Sequence, residues 1–138
     1  MQQTPDTDAQ PAPEDEGALV AARRAKLAEL RDRLGVEPYG HRADGLEPCA
    51  AARGRFDEAA HAAFEAWQQA RKADPAAAGE DRRARVRIAG RVMQHRDLGK
   101  LVFFWLRDAS GDLQVTVSKA NVSERDFTLA KMLDYGDL

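Results

Sequence analysis

The sequence predicts an α+β chain in which helices come first and a small antiparallel sheet follows. Three observations carry this. Apolar residues over 18–34 recur at helical spacing. From 84 onward the repeat drops from about 3.6 residues to 2. The alternating segments are joined by connections too short for parallel crossovers, QHRDLGK over 94–100 and ASGD over 109–112.

Residues 1–17 read as a disordered acidic tail. They hold five acids, Asp6, Asp8, Glu14, Asp15 and Glu16, and no base. With no cluster of large apolar groups, such a segment cannot offset its ordering entropy. Residues 18–83 read as a helical N-terminal extension. Val20, Leu27, Leu30 and Leu34 fall on one stripe of a helix over 18–34. Gly35 supplies a natural stop and Pro38 prevents resumption. Residues 36–56 carry prolines and glycines and suggest an irregular or extended connection. A second helix is expected over 56–74, capped by Asp57, with Phe64 and Trp67 on its buried side.

Residues 84–138 read as a three-stranded antiparallel meander followed by a short helix. Val86, Ile88 and Val92 alternate with Arg87 and Arg91 in the first strand, and LVFFWLRD and LQVTVSK form the second and third. Ser123 caps a helix running to about Met132, with Asp126 at its third position. An open meander of three strands leaves a pairing edge, so modest stability is expected of it alone.

Successive strand residues face opposite sides. Val102, Phe104 and Leu106 form an apolar set that must share a core with Val86, Ile88, Val92, Leu113, Val115 and Val117. The opposite surface collects Arg87, Arg91, Phe103, Trp105, Arg107 and Gln114, with Arg96 at its edge. Two readings of that surface stay open. An exposed aromatic among arginines and an amide suits a stacked base. Alternatively, the N-terminal helices cover Phe103 and Trp105.

Charge bears on the choice through its distribution. The net charge of −2 predicts no polyanion partner, but residues 82–107 hold eight bases against one acid, Asp97. A local excess of that kind attracts phosphate or, equally, makes a solvated face. The single cysteine, Cys49, excludes an internal disulfide and fits a reducing compartment. His41, His61 and His95 have no zinc-ligand spacing with it, so no structural metal is expected. No apolar run is long enough to span a membrane, and the N-terminus has no signal-peptide pattern, so a cytoplasmic location is expected. HRDL over 95–98 superficially matches a kinase catalytic loop. That loop needs Asn five residues after its Asp, where this chain has Val102.

ARRAKLAELRDRLGVEPYG, 22–40, resembles the R-x-x-K-L-x-x-L-R-x-x-G-x-x-P-Y opening of bacterial class II lysyl-tRNA synthetases. VRIAGRVMQHRDLGKLVFFWLRDASGDLQVTV, 86–117, resembles the start of their anticodon-binding OB-fold. Its pattern G-K-x-x-F-x-x-L-x-D-x-x-G-x-x-Q is met by Gly99, Lys100, Phe103, Leu106, Asp108, Gly111 and Gln114. The OB part alone also suits aspartyl- or asparaginyl-tRNA synthetases, and the leading helix with its GVEPYG exit points to the lysyl branch.

The resemblance implies a partial OB-fold over 84–138 and a role in binding the anticodon loop of the lysine tRNA. Phe103 matches the aromatic that stacks on the central uridine. Gln114 matches the amide that hydrogen-bonds that base, and Arg96 a basic residue at the anticodon. Arg87, Arg91 and Lys100 are candidate phosphate contacts by position. LDYGDL, 133–138, matches the entry to a fourth strand. No F-R-x-E or G-x-G-x-x-R motif occurs, so no catalytic residue is expected here, and the chain reads as a fragment. ATP, magnesium and homodimer formation would belong to a full-length parent. The rival function is a stand-alone OB module for single-stranded nucleic acid. A third reading, an interaction domain with buried aromatics, predicts no RNA binding.

Overall fold

The computed structural model describes residues 13–39 and 41–138. They fall into two compact units, Met1–Arg42 and Ala43–Leu138.

The first unit holds α1 (Pro13–Ala28), continued by a π-helical turn over Glu29–Arg33. The helix starts earlier than the sequence suggested. Pro13 stands at its first position, where a fixed helical φ suits the start of a helix. This shortens the expected 1–17 tail, whose residues 1–12 lie outside those described. The stop falls where expected. Gly35 takes φ +59°, and the Val36 N–H donates to the Leu30 carbonyl at 2.8 Å. Arg31 and Glu37 then close a bidentate ion pair at 2.8 Å across the exit.

The second unit contains α2 (Cys49–Gly54), α3 (Glu58–Ala73), β1 (Arg91–Asp97), β2 (Leu101–Asp108), β3 (Gly111–Ser118) and α4 (Glu124–Met132). The strands make one antiparallel sheet in the order β1-β2-β3, the expected meander. Its core face carries Val92, Val102 and Phe104, which α4 covers with Phe127 and Ala130. Leu106, Val115, Val117 and Leu133 pack around them. Ser123 caps α4 by accepting from the Asp126 N–H at 3.1 Å, and Asp57 caps α3 by accepting from Ala60 at 3.0 Å.

Two expectations need correction. The first strand does not begin near 84. Residues 84–90 are irregular, so Val86 and Ile88 are not sheet residues. There the Arg87 carbonyl accepts from the Glu47 N–H at 2.7 Å, outside any ladder. A Cβ at Gly90 would lie 2.7 Å from the Arg107 carbonyl oxygen, so the approach to β2 needs a residue without one. The turn between β1 and β2 is accordingly shorter than QHRDLGK and occupies 98–100.

The second correction is α2, within the stretch expected to be irregular. Its six residues hold by attachment rather than by propensity. The Cys49 N–H donates to Asp108 Oδ2 at 2.7 Å, the Ala50 N–H to Ser110 Oγ at 2.9 Å, and Arg53 to the Asp112 carbonyl at 2.6 Å. Cys49 is fully buried, and that burial pushes its thiol pKa up.

Asp108 ties α2 to the β2–β3 turn. Besides Cys49, it accepts from the Ser110 N–H at 2.7 Å, from Ser110 Oγ at 2.6 Å and from the Gly111 N–H at 3.2 Å. The Ser110 hydroxyl, then the Cys49 amide, hold its carboxyl well below the usual carboxylate range. A lowered folded pKa contributes stability above the unfolded value of about 4, and the contribution fades as acid protonates the folded group. Asp108→Asn leaves a single acceptor oxygen. The variant is expected to melt lower than the parent at pH 7 and to lose less on going to pH 3, as followed by circular dichroism. Equal acid losses in the two proteins would remove the Asp108 charge from this account.

The outer edge of β1 is partly occupied. The Gly136 N–H donates to the Val92 carbonyl at 2.7 Å, and the Val92 N–H to the Asp137 carbonyl at 2.8 Å. The segment expected to lead into a fourth strand therefore lies beside β1, opposite β2.

Candidate nucleic-acid interface

The register arranges the second face of the sheet in rows. Arg91, Arg107 and Asp112 lie side by side, then Gln94, Trp105 and Gln114, then Arg96, Phe103 and Thr116. Directly opposed side chains on one face stand about 5 Å apart, and diagonal ones about 7–8 Å. Phe103 thus has Arg96 and Thr116 as flanking neighbours and Gln114 on its diagonal. Phe103 and Trp105 are half-buried; Arg96, Gln94, Gln114 and Thr116 are exposed.

A β-bulge makes this arrangement. The register shifts between Val92 and Gln94, leaving Met93 as an extra residue. Unbroken alternation from Val92 would send Gln94 and Arg96 to the core face and His95 outward. The bulge reverses that. His95 pairs with Phe104 on the core face, its ring 5.2 Å from the phenyl ring and its Nε2 3.1 Å from the Ala130 carbonyl. Arg96 lands directly beside Phe103 rather than at the edge of the face.

The basic excess is smaller than the sequence suggests, because part of it is internally neutralised. Arg107 makes a bidentate pair with Asp112 at 2.6 and 2.8 Å, Arg83 pairs with Asp81 at 2.8 and 2.9 Å, and Arg82 pairs with Glu80. The Arg83 guanidinium lowers Asp81 to about 2. Arg91 donates to the Gly136 carbonyl at 2.6 Å. Among the described residues, the Arg96 and Lys100 side chains have no hydrogen-bond or ion-pair partner.

Of the six candidates from sequence, the sheet brings four together: Phe103, Gln114, Arg96 and Arg91. Lys100 stands in the β1–β2 turn, and Arg87 lies in the irregular stretch before the sheet. Gln94 was missed because only the bulge turns it to this face. Among the described residues no helix is long and apolar enough to cross a membrane, and no three His, Cys, Asp or Glu side chains converge to hold a metal ion.

Residues 86–138 match the tRNA-anticodon family model, described as an OB-fold nucleic acid binding domain. Over 116 residues the chain is 34% identical to lysine–tRNA ligase of Staphylococcus epidermidis, covering 84% of this chain and 21% of that protein. It is 35% identical over 140 residues to the Bordetella parapertussis ligase, covering 96% and 23%. Asparaginyl-tRNA synthetase from Pyrococcus horikoshii aligns structurally with 37% of this chain and 12% of its own, at 41% identity and a TM-score of 0.35. The chain spans about a fifth of the length of the curated relatives it matches. Residues 86–138 are thus similar to OB-fold nucleic acid binding domains, and most of the chain is similar to a part of the lysine–tRNA ligases.

Proposed function

We propose that this chain is the anticodon-reading portion of a lysine–tRNA ligase. The observation that carries the reading is the row Arg96, Phe103 and Thr116 with Gln114 on its diagonal, on the face of the sheet opposite the core. A loop base, unstacked from its neighbours, lies on the Phe103 ring. Gln114 presents both an amide donor and a carbonyl acceptor to its edge, as the N3–H and carbonyls of a uracil require. Arg96 brings an uncompensated charge to the same base or its phosphate. Arg91, Lys100 and, further along the chain, Arg87 offer phosphate contacts around this centre.

The chemistry of the whole protein lies outside these residues. In this reading the parent is a class II synthetase that joins lysine to tRNA at the expense of ATP with magnesium, acting as a homodimer in the cytoplasm. The portion described here contributes selection of the tRNA.

The test is the affinity of the full 138-residue chain for short RNA hairpins, at one fixed salt concentration because phosphate contacts are salt-dependent. A hairpin with a UUU loop is expected to bind about 5-fold or more tighter than one with cytosine at the central position, where a Gln114 amide held in the orientation that suits uracil sets acceptor against acceptor and donor against donor. Equal affinity for both loops would instead favour a sequence-tolerant single-strand module. No binding to either would overturn both readings.

A further inference from the structure

The row next to Phe103 repeats its design. Trp105 stands between Gln94 on β1 and Gln114 on β3, as Phe103 stands between Arg96 and Thr116. Residues two apart on one strand are separated by about 6.8 Å, so the two rings offer separate surfaces. Five other aromatics in this unit are engaged through their rings, while Tyr135 reaches the His95 carbonyl through its hydroxyl. Phe56 meets His61, Phe64 meets Trp67 and Arg83, Phe104 meets His95, and Phe127 meets Lys131. Neither Phe103 nor Trp105 has a ring or cation–π partner among the described residues. The Trp105 indole N–H has no acceptor there either, whereas the Trp67 indole donates to the Ala77 carbonyl at 3.1 Å. Among the described residues no buried side-chain nitrogen or oxygen lacks a partner, so that indole N–H is not fully buried.

A half-buried indole with no ring partner, flanked by two amides, is a recognition surface for a planar, hydrogen-bonding ring. The uncompensated Arg96 and Lys100 nearby favour a ligand with phosphates over a peptide. We infer that Trp105, with Gln94, is a second base subsite that takes the nucleotide adjoining the one stacked on Phe103. Gln114 stands between the two subsites and contacts either base. This rests on the reading of the sheet face as an RNA surface, and extends it from one base to two.

The test removes protein ring and RNA base in turn. The full chain carrying Trp67→Phe keeps Trp105 as its one indole. Titration with the UUU hairpin is expected to quench its fluorescence, as stacking on the indole requires. Trp105→Ala is expected to weaken binding about 5- to 150-fold. That loss should disappear on a hairpin made abasic at one neighbour of the central position, while the Phe103→Ala loss persists there. Gln94→Ala, an exposed change, should show the same dependence on the neighbouring base and serves if Trp105→Ala fails to fold. Loss with Phe103→Ala but full affinity with Trp105→Ala and Gln94→Ala would overturn the second subsite alone. Equal Trp105→Ala losses on intact and abasic loops would overturn it as well. If the wild-type chain ignores the hairpin, the RNA reading falls and the subsite with it.

Discussion

Phe103→Ala is expected to weaken binding of a UUU hairpin about 5- to 150-fold while leaving a cooperative melt, because one base loses its stacking platform, worth about 1–3 kcal/mol. The ring belongs to the face opposite the buried set, and its row mates are Arg96 and Thr116 rather than core side chains. Truncation therefore opens no cavity between the sheet and α4. Fluorescence anisotropy of a labelled hairpin gives the affinity, and circular dichroism gives the melt of the same sample. If fold and affinity fell together in proportion, Phe103 would be a packing residue and the interface would lie elsewhere.

The neighbouring position predicts the reverse. Phe104 is 4% exposed and sits amid Val92, Val102, Phe127 and Ala130. Its ring also lies against His95. Phe104→Ala removes one of the two largest side chains of this cluster, and removing a buried phenylalanine costs about 3–5 kcal/mol through lost transfer energy and the cavity left behind. That is a large share of the stability of a small domain. The expected result is a chain that is partly or wholly unfolded at 37 °C, its hairpin affinity lost with its fold. Denaturant melts of the two alanine variants side by side make the comparison. A Phe104→Ala protein as stable as its parent would contradict the assignment of faces.

Much of this was legible in the sequence because β2 and β3 alternate strictly. Val102, Phe104 and Leu106 against Val115 and Val117 leave no other way to build a core, and Phe103 and Gln114 follow onto the other side. Ser123 and Asp57 were legible as caps for the same reason: the bond each makes reaches only three residues along the chain. What stayed hidden depends on distant partners. CAAARG has no apolar stripe and is shorter than a stable isolated helix. It is helical because Asp108 and Ser110, 59 and 60 residues away, accept its first amides. The irregular course of 84–90 likewise reflects Gly90 against the Arg107 backbone and the Glu47–Arg87 bond. The arginines there made half an alternating pattern without a strand to use it. Charge counting failed similarly, since nothing local says that Arg107 spends its charge on Asp112.

The extra residue Met93 has one more consequence. The chemistry of β1 depends on where its extra residue is accommodated as well as on which residues it contains. Deleting Met93 would restore one-to-one pairing, Val92 opposite Leu106 and Gln94 opposite Trp105, and leave His95 and Arg96 on their present faces. Straightening the bulge with Met93 kept would exchange them, burying a guanidinium against α4 and turning an imidazole to the outer face. A one-residue deletion here is therefore absorbed by loss of the bulge, whereas an insertion must enlarge the bulge or reverse the faces. An engineer who wishes to graft this surface onto another small sheet must carry over the bulge together with its residues, or leave Met93 out.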